Sequence, residues 1–160
     1  MIGASFFLAA AAIAHPADLS PFSPLVGFCW RADLSATVHD THCFETLYGG
    51  AHVRDRHEVL DNGKTIYAGE TIYSADGSRL VFTYINSLGG VGHGTAQADK
   101  IKLHFVGHMR GSPADAEQPL NSEWQRVDPD HYEVRSLVPS KSEQVKKPLV
   151  FTRVGRESQN

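Results

Sequence analysis

Histidine and aspartate residues recur two positions apart in two successive stretches of this chain. Asp40 and His42 lie in the first stretch, and Asp55 and His57 lie in the second. Imidazole and carboxylate groups that lie close together can share a proton, coordinate a divalent cation or hydrogen-bond a polar ligand. We call these four residues the His/Asp cluster, and its chemistry depends on whether the fold brings them to one place.

Side chains in both stretches follow the two-residue period that is typical of β-strands. A hairpin about Tyr48-Gly49 would bring the two stretches together. Cross-strand partners lie about 5 Å apart at Cβ, and such pairs contribute some tenths of a kcal/mol each and help to fix the register. The predicted register sets opposite charges against each other on both faces, with the pairs Val38–Val59, Asp40–His57, His42–Asp55 and Phe44–Val53 on one face, and His39–Glu58 and Glu45–His52 on the other.

The face that carries the His/Asp cluster also carries valine and phenylalanine, so we predict that it points into the core. A two-residue type I′ turn at Asn62-Gly63 would add Glu70 to this inner face. A three-residue turn at the same place would instead send Thr65, Tyr67 and Thr71 inward.

Buried charges must be paired or bound to something, and three interpretations of the cluster stay open. It could be a structural ladder of mutually satisfied charges, the polar end of a ligand pocket, or a metal site. In the pocket interpretation the ligand-binding residues are Asp40, His42, Asp55, His57, Glu70 and Tyr84. In the metal interpretation the ligands are His42, His57, Asp55 and Glu70. The two-residue turn would set Asp55 opposite Glu70, and the repulsion between these carboxylates favours a cation between them. The sequence singles out no catalytic residue and identifies no cofactor.

The elements that must position these residues are short strands separated by turn signals, without a convincing helical period. The predicted strands are 25–32, 38–46, 51–60, 64–74, 78–87, 91–98, 100–107, 121–128, 130–138 and 147–154. An antiparallel meander of about ten strands closes most simply into a β-barrel, which has no exposed edges. We expect strand 78–87 to turn Tyr84 inward, and the loop 107–120 to cover a barrel mouth.

The length of 160 residues and a hydrophobic content of 41% suit a single domain. A net charge of -3, with lysine and arginine scattered, argues against nucleic acid as a partner. An uncharged apolar run ending in Ala-Ile-Ala is typical of a cleaved secretory signal and is too short to span a membrane; a buried N-terminal helix is the alternative. We therefore predict a periplasmic or secreted protein with a signal peptide at 1–14, a lead-in at 15–24, a barrel at 25–154 and a tail at 155–160.

Cys29 and Cys43 are the only cysteines. In an oxidising compartment they can form a disulfide between neighbouring strands, on the outer face, with a loop-closure contribution of about 3 kcal/mol. Free thiols or a metal site are the alternative, but the pair lacks CxxC spacing.

Three segments of the chain resemble the calycin-like barrels, which include lipocalins, fatty-acid-binding proteins and small bacterial lipocalin-like domains. The segments are Pro24–Trp30 on the first strand, Gly69–Tyr73, and Phe151–Arg153 on the last strand. The resemblance implies a lipocalin-like barrel over about residues 24–154. It also implies that Arg153 stacks on Trp30 at the closed end of the barrel.

We therefore expect an exported barrel that binds a small, partly apolar molecule in its interior. A metal-dependent protein or enzyme that uses the inward cluster is one alternative, and a filled barrel with a structural or partner-binding role is another. An interior cavity separates ligand binding from the filled barrel, since ligand pockets commonly measure roughly 300 to 1,000 Å³.

Overall fold

Ten antiparallel strands form one closed barrel in the computed structural model, which describes residues 18–138 and 147–156. The strands are β1 (Phe28–Asp33), β2 (Val38–Leu47), β3 (His52–Asp61), β4 (Lys64–Asp76), β5 (Arg79–Asn86), β6 (Val91–Asp99), β7 (Lys102–Met109), β8 (Gln118–Asp128), β9 (His131–Ser136) and β10 (Leu149–Arg156). Strands that follow each other in sequence are paired, and β1 pairs with β10. This last pairing closes the sheet and leaves it without an edge.

The predicted all-β antiparallel meander is confirmed, and each predicted strand has a counterpart. The loop predicted at 107–120 is shorter, at 110–117, because β7 and β8 pair as far as Met109 and Gln118. The predicted signal peptide at 1–14 lies outside the described residues. No helix in the described ranges is long and apolar enough to cross a membrane.

The N-terminal segment closes one end of the barrel. Phe22 lies in a 3₁₀ turn, is fully buried, and stacks on Tyr73 with ring centroids 4.3 Å apart. The Trp30 Nε1–H donates a hydrogen bond to the Leu25 carbonyl oxygen at 3.2 Å. The core continues from Phe22 and Trp30 through further buried aromatic side chains, among them Phe44, Phe82, Phe105, Tyr132 and Phe151. Apolar packing therefore fills this end of the barrel.

The hairpin of β2 and β3 has a different register from the predicted one. His42 faces His57, and Asp40 faces Val59. The predicted pairing is wrong by two residues, because the connection spans residues 48–51 and its centre lies one position later than Tyr48-Gly49. A shift of two keeps each side chain on its face, so the His/Asp cluster still points inward.

The turn at Asn62-Gly63 has the two residues predicted, with φ of 49° and 76°, and a type I′ turn requires positive φ at both. Just beyond this turn, β4 contains a bulge. Tyr67 pairs with Val59, whereas Thr65 pairs with the next residue of β3, so Ile66 is an extra residue. A bulge of one residue reverses the face of every later side chain in the strand.

This reversal makes the prediction for Glu70 wrong, because Glu70 lies on the outer face. There it pairs across the strands with Arg56, and its Oε2 lies 3.9 Å from Nη1 of Arg54. The inward positions of β4 are instead Tyr67, Gly69, Thr71 and Tyr73. Glu70 is therefore absent from the interior cluster.

The stacking predicted for Arg153 is also wrong. Arg153 is the β10 partner of Trp30, but its guanidinium carbon lies 4.6 Å from the ring centroid of Phe28, and it forms an ion pair with Asp130. The Trp30 ring is turned into the core, where it meets Tyr132 edge-on at 5.3 Å. Arg153 consequently contacts Phe28, at the start of β1, instead of Trp30.

The predicted disulfide between Cys29 and Cys43 is confirmed. It joins directly opposed residues of β1 and β2 and lies on the outer face, since His42 and Phe44 on either side of Cys43 point inward. The bond therefore links β1 to the outer surface of β2, the strand that carries Asp40 and His42.

The double variant Cys29→Ala/Cys43→Ala should lose about 3 kcal/mol of unfolding free energy, because the bond closes a loop with a sequence separation of 14. Urea denaturation with and without reductant measures this loss. Reductant should destabilise the wild type by a similar amount and leave the double variant unchanged. Equal stability of oxidised wild type and variant would contradict the prediction.

Candidate functional site

The His/Asp cluster forms where inward positions of β2 and β3 meet. The Nδ1–H of His42 donates a hydrogen bond to Asp55 Oδ2 at 2.8 Å. On the other side of the ring, His42 Nε2 lies 3.5 Å from Asp40 Oδ2. His42 therefore lies between two carboxylates, and the pair predicted as direct cross-strand partners, His42 and Asp55, meets diagonally instead.

His57 completes the cluster from β3. Its Nδ1 lies 3.7 Å from Asp40 Oδ1, which is too long for a hydrogen bond. Its Nε2 lies 3.2 Å from the Tyr84 hydroxyl, which in turn is hydrogen-bonded to the Tyr67 hydroxyl. The two imidazole rings are 4.9 Å apart between centroids. Tyr84 thus lies beside the cluster, through its contact with His57.

Gly69 on β4 makes room for the His57 ring. A Cβ at this position would lie 2.5 Å from His57 Nε2 and 2.9 Å from Tyr84 Cε2. Atoms that are not bonded cannot approach so closely, so any larger residue must displace the ring. Sequence reasoning did not name Gly69 among the site residues, and it turned Tyr67 inward only in the alternative with a three-residue turn, because it did not foresee the bulge in β4.

Unsatisfied polar atoms concentrate in the cluster. Of the four buried side-chain polar atoms without a hydrogen-bond partner in the described part of the chain, three are Asp40 Oδ1, Asp55 Oδ1 and His57 Nδ1. Leaving a buried polar atom unpaired costs about 1 to 3 kcal/mol. The side chains therefore satisfy one another only in part, and the ladder interpretation does not account for these three atoms.

Charge interactions set the protonation of the cluster. Burial disfavours the charged form of His42, but the carboxylates of Asp55 and Asp40 outweigh burial and raise the pKa of His42 to about 10. Burial also acts against the Asp40 carboxylate, yet His42 and His57 hold the pKa of Asp40 well below its ordinary value. Burial, aided by Tyr67, raises the pKa of Tyr84 far above its ordinary value. At neutral pH the cluster thus contains the His42 imidazolium beside the Asp40 carboxylate.

A cavity of about 200 Å³ lies inside the barrel against one side of the cluster. Its polar lining includes His42, Asp55, His57 and Tyr84. The apolar and aromatic part of the lining comes mainly from Tyr73, Phe82, Phe105, Met109, Leu120 and Trp124. The cavity therefore offers an apolar volume with polar groups on one side, which is the usual composition of a small-molecule site.

A larger groove, of about 430 Å³, lies on the outer face across β2 to β5. Its lining includes charged side chains of that face, Arg56, Glu58 and Glu70, beside Ile85. Arg56 and Glu70 are opposed across the strands there. We favour the interior cavity as the functional site, because its lining contains His42, Asp55 and His57, whereas the outer groove reaches the cluster only at His57.

Three side chains of the cluster could hold a metal ion. Asp40, His42 and His57 each offer one ligand atom, and these atoms lie within 4.8 Å of one another. This set differs from the one predicted from sequence, because Asp40 takes the place of Asp55 and Glu70. Asp55 is occupied with the other nitrogen of His42.

Comparison with known proteins adds no family assignment. No protein-family model matches the chain, and no similar sequence is found among curated proteins. The closed ten-stranded barrel is compatible with the calycin-like fold that the sequence resembles.

Gly69→Ala should lower the unfolding free energy by about 1 to 3 kcal/mol, because the added methyl group overlaps the His57 ring. NMR should also show displacement of the His57 ring from Tyr84. The matched control is Gly155→Ala on β10, where an added Cβ meets open space. Equal stabilities for the two variants, measured by urea denaturation, would contradict the packing around His57.

His42 should stay protonated across neutral pH in protein treated with a chelator. Its pKa is raised in the folded state, so the stabilisation is fully present below about pH 6.5 and is lost as the pH rises through about 10. NMR titration of the His42 imidazole should show no transition between pH 6 and 8. An ordinary histidine would lose its proton in this range. A His42 midpoint near the ordinary value would contradict the prediction.

Proposed function

We propose that this protein is an exported binding protein that holds one compact, partly apolar molecule inside the barrel. The observation that carries the proposal is the cavity of about 200 Å³ against the His/Asp cluster. Well-packed interiors contain few voids larger than a water molecule. A space of this size therefore supports binding over the alternative of a filled barrel.

The size of the cavity restricts the ligand. Pockets for drug-sized molecules measure roughly 300 to 1,000 Å³, whereas an apolar cavity of about 150 Å³ accommodates benzene. A volume of about 200 Å³ suits a molecule with one ring or a short branched chain. A long fatty acid does not fit within it.

The polar side of the cavity suggests which group the ligand carries. Asp55 lines the cavity, and its Oδ1 is buried without a partner among the described residues. A hydroxyl or amino group that donates a hydrogen bond to this oxygen would remove the cost of leaving it unpaired. The proposed ligand is therefore a small ring or branched chain with one hydrogen-bond donor.

The disulfide supports the exported location in this proposal. Structural disulfides persist in oxidising compartments and are rare in the cytosol of most organisms. The Cys29–Cys43 bond joins paired strands, so it belongs to the folded architecture of the barrel.

Phenol is a suitable first probe, because it combines a single ring with one hydroxyl donor. Titration followed by NMR should move the resonances of Met109, Leu120 and Trp124, which line the cavity. Leu120→Phe fills part of this space and should weaken phenol binding by about tenfold, equivalent to about 1.4 kcal/mol.

The matched control is Val106→Phe, at an outward position of β7 that is 47% exposed. This variant should bind phenol with the affinity of the wild type. Resonance changes confined to the outer face, or equal phenol affinity in wild type and Leu120→Phe, would argue against an interior site. Mass spectrometry of small molecules that co-purify from the native host then identifies the physiological ligand.

A further inference from the structure

We infer that Asp40, His42 and His57 bind a divalent transition-metal cation, with Zn²⁺ as the reference ion. This inference goes beyond the proposed function and does not depend on it, since it needs only three side chains of β2 and β3. Asp40, which the sequence analysis placed among the ligand-binding residues, is absent from the lining of the interior cavity.

Each of the two histidine rings turns one nitrogen toward Asp40. His42 directs Nδ1 to Asp55, and His57 directs Nε2 to the Tyr84 hydroxyl. The other nitrogen of each ring, His42 Nε2 or His57 Nδ1, faces Asp40. A neutral imidazole whose first nitrogen donates a proton presents a lone pair at the second. Once His42 has also given up its proton, two lone pairs and a carboxylate converge, and a cation satisfies all three acceptors.

The distances between the three side chains suit a zinc ion. Two ligand atoms at about 2.0 to 2.2 Å from a tetrahedral Zn²⁺ lie roughly 3.3 to 3.6 Å apart. The separations from Asp40 are 3.5 Å for Oδ2 to His42 Nε2 and 3.7 Å for Oδ1 to His57 Nδ1. All three ligand groups lie within 4.8 Å of one another. Small side-chain rotations are therefore enough to bring the three groups onto one ion.

A proton does not satisfy all the atoms that a metal ion would satisfy. A proton on His42 Nε2 serves the contact with Asp40 Oδ2. It leaves Asp40 Oδ1 and His57 Nδ1 facing each other, both buried and both without a hydrogen-bond partner in the described residues. A metal ion accepts electron pairs from both rings and from the carboxylate at once, and it releases the proton from His42 as it binds.

Partners outside the three ligands already hold the rings in place. A carboxylate or other group that hydrogen-bonds the distal nitrogen of a metal-binding histidine fixes the ring and raises its basicity. Asp55 has this position behind His42, and Tyr84 has it behind His57. The room that Gly69 leaves allows the His57 ring to lie there.

The ligand types select the class of ion. Imidazole nitrogen suits Zn²⁺, Cu²⁺, Fe²⁺ and Ni²⁺, whereas Mg²⁺ and Ca²⁺ prefer sites made entirely of oxygen ligands. Three protein ligands leave at least one position of a tetrahedral ion open to water or to another molecule. The site therefore discriminates against Mg²⁺ and keeps a position for exchange.

The experiment is a calorimetric titration of Zn²⁺ into untagged, chelator-treated protein in the presence of excess Mg²⁺. We expect one Zn²⁺ per chain with a Kd of about 1 μM or below. Asp40→Asn and His57→Gln should each weaken binding by about 100-fold or more, because each removes a ligand. His108→Gln, at an exposed histidine on the outer face, should bind Zn²⁺ as the wild type does.

Ring-nitrogen NMR of the wild type provides a test that does not depend on the folding of any variant. Zn²⁺ should shift His42 Nε2 and His57 Nδ1, while exposed histidines keep their metal-free shifts. No binding up to about 1 mM Zn²⁺, shifts confined to exposed histidines, or loss of binding in His108→Gln would each overturn the inference. Phenol titration of the same metal-free protein separates the outcomes, because failure of Zn²⁺ binding leaves the cavity proposal standing.

Discussion

Ionisable side chains enclosed by aromatic rings must neutralise one another or bind something, and this constraint governs the interior of the barrel. The ring of His42 meets Phe151 edge-on at 4.9 Å and Trp124 at 6.2 Å, while its nitrogens face Asp40 and Asp55. The closed wall keeps these groups in one small space. Their relative positions therefore follow from the pairing of β2 with β3 and from the aromatic packing around them.

The fold class could be predicted from sequence because it depends on alternation and on turn residues, which are local signals. The His/Asp cluster points inward although the predicted register was wrong, because a shift of two residues preserves the face of each side chain. The position of Glu70 could not be predicted in this way. The bulge at Ile66 has no clear local signal, and one extra residue reverses the faces of everything after it.

The four residues of the His/Asp cluster could be predicted from the sequence, but their connections and their neighbours on β4 could not. Sequence reasoning expected Asp55 and Glu70 among the metal ligands, whereas Asp40 is the carboxylate that faces both imidazoles. Diagonal contacts of this kind depend on rotamers and on strand twist, which sequence spacing does not fix. Tyr67 and Gly69 entered the site through the same bulge that removed Glu70. Local backbone irregularity thus decided which side chains meet.

The disulfide connects the chemistry of the interior to the redox state of the surroundings. Cys43 lies between His42 and Phe44, so the bond to Cys29 anchors the backbone of β2 immediately beside the cluster. After reduction, hydrogen bonds and packing alone hold β1 against this strand. The backbone beside the imidazoles and carboxylates is consequently held by a covalent link only where thiols are oxidised.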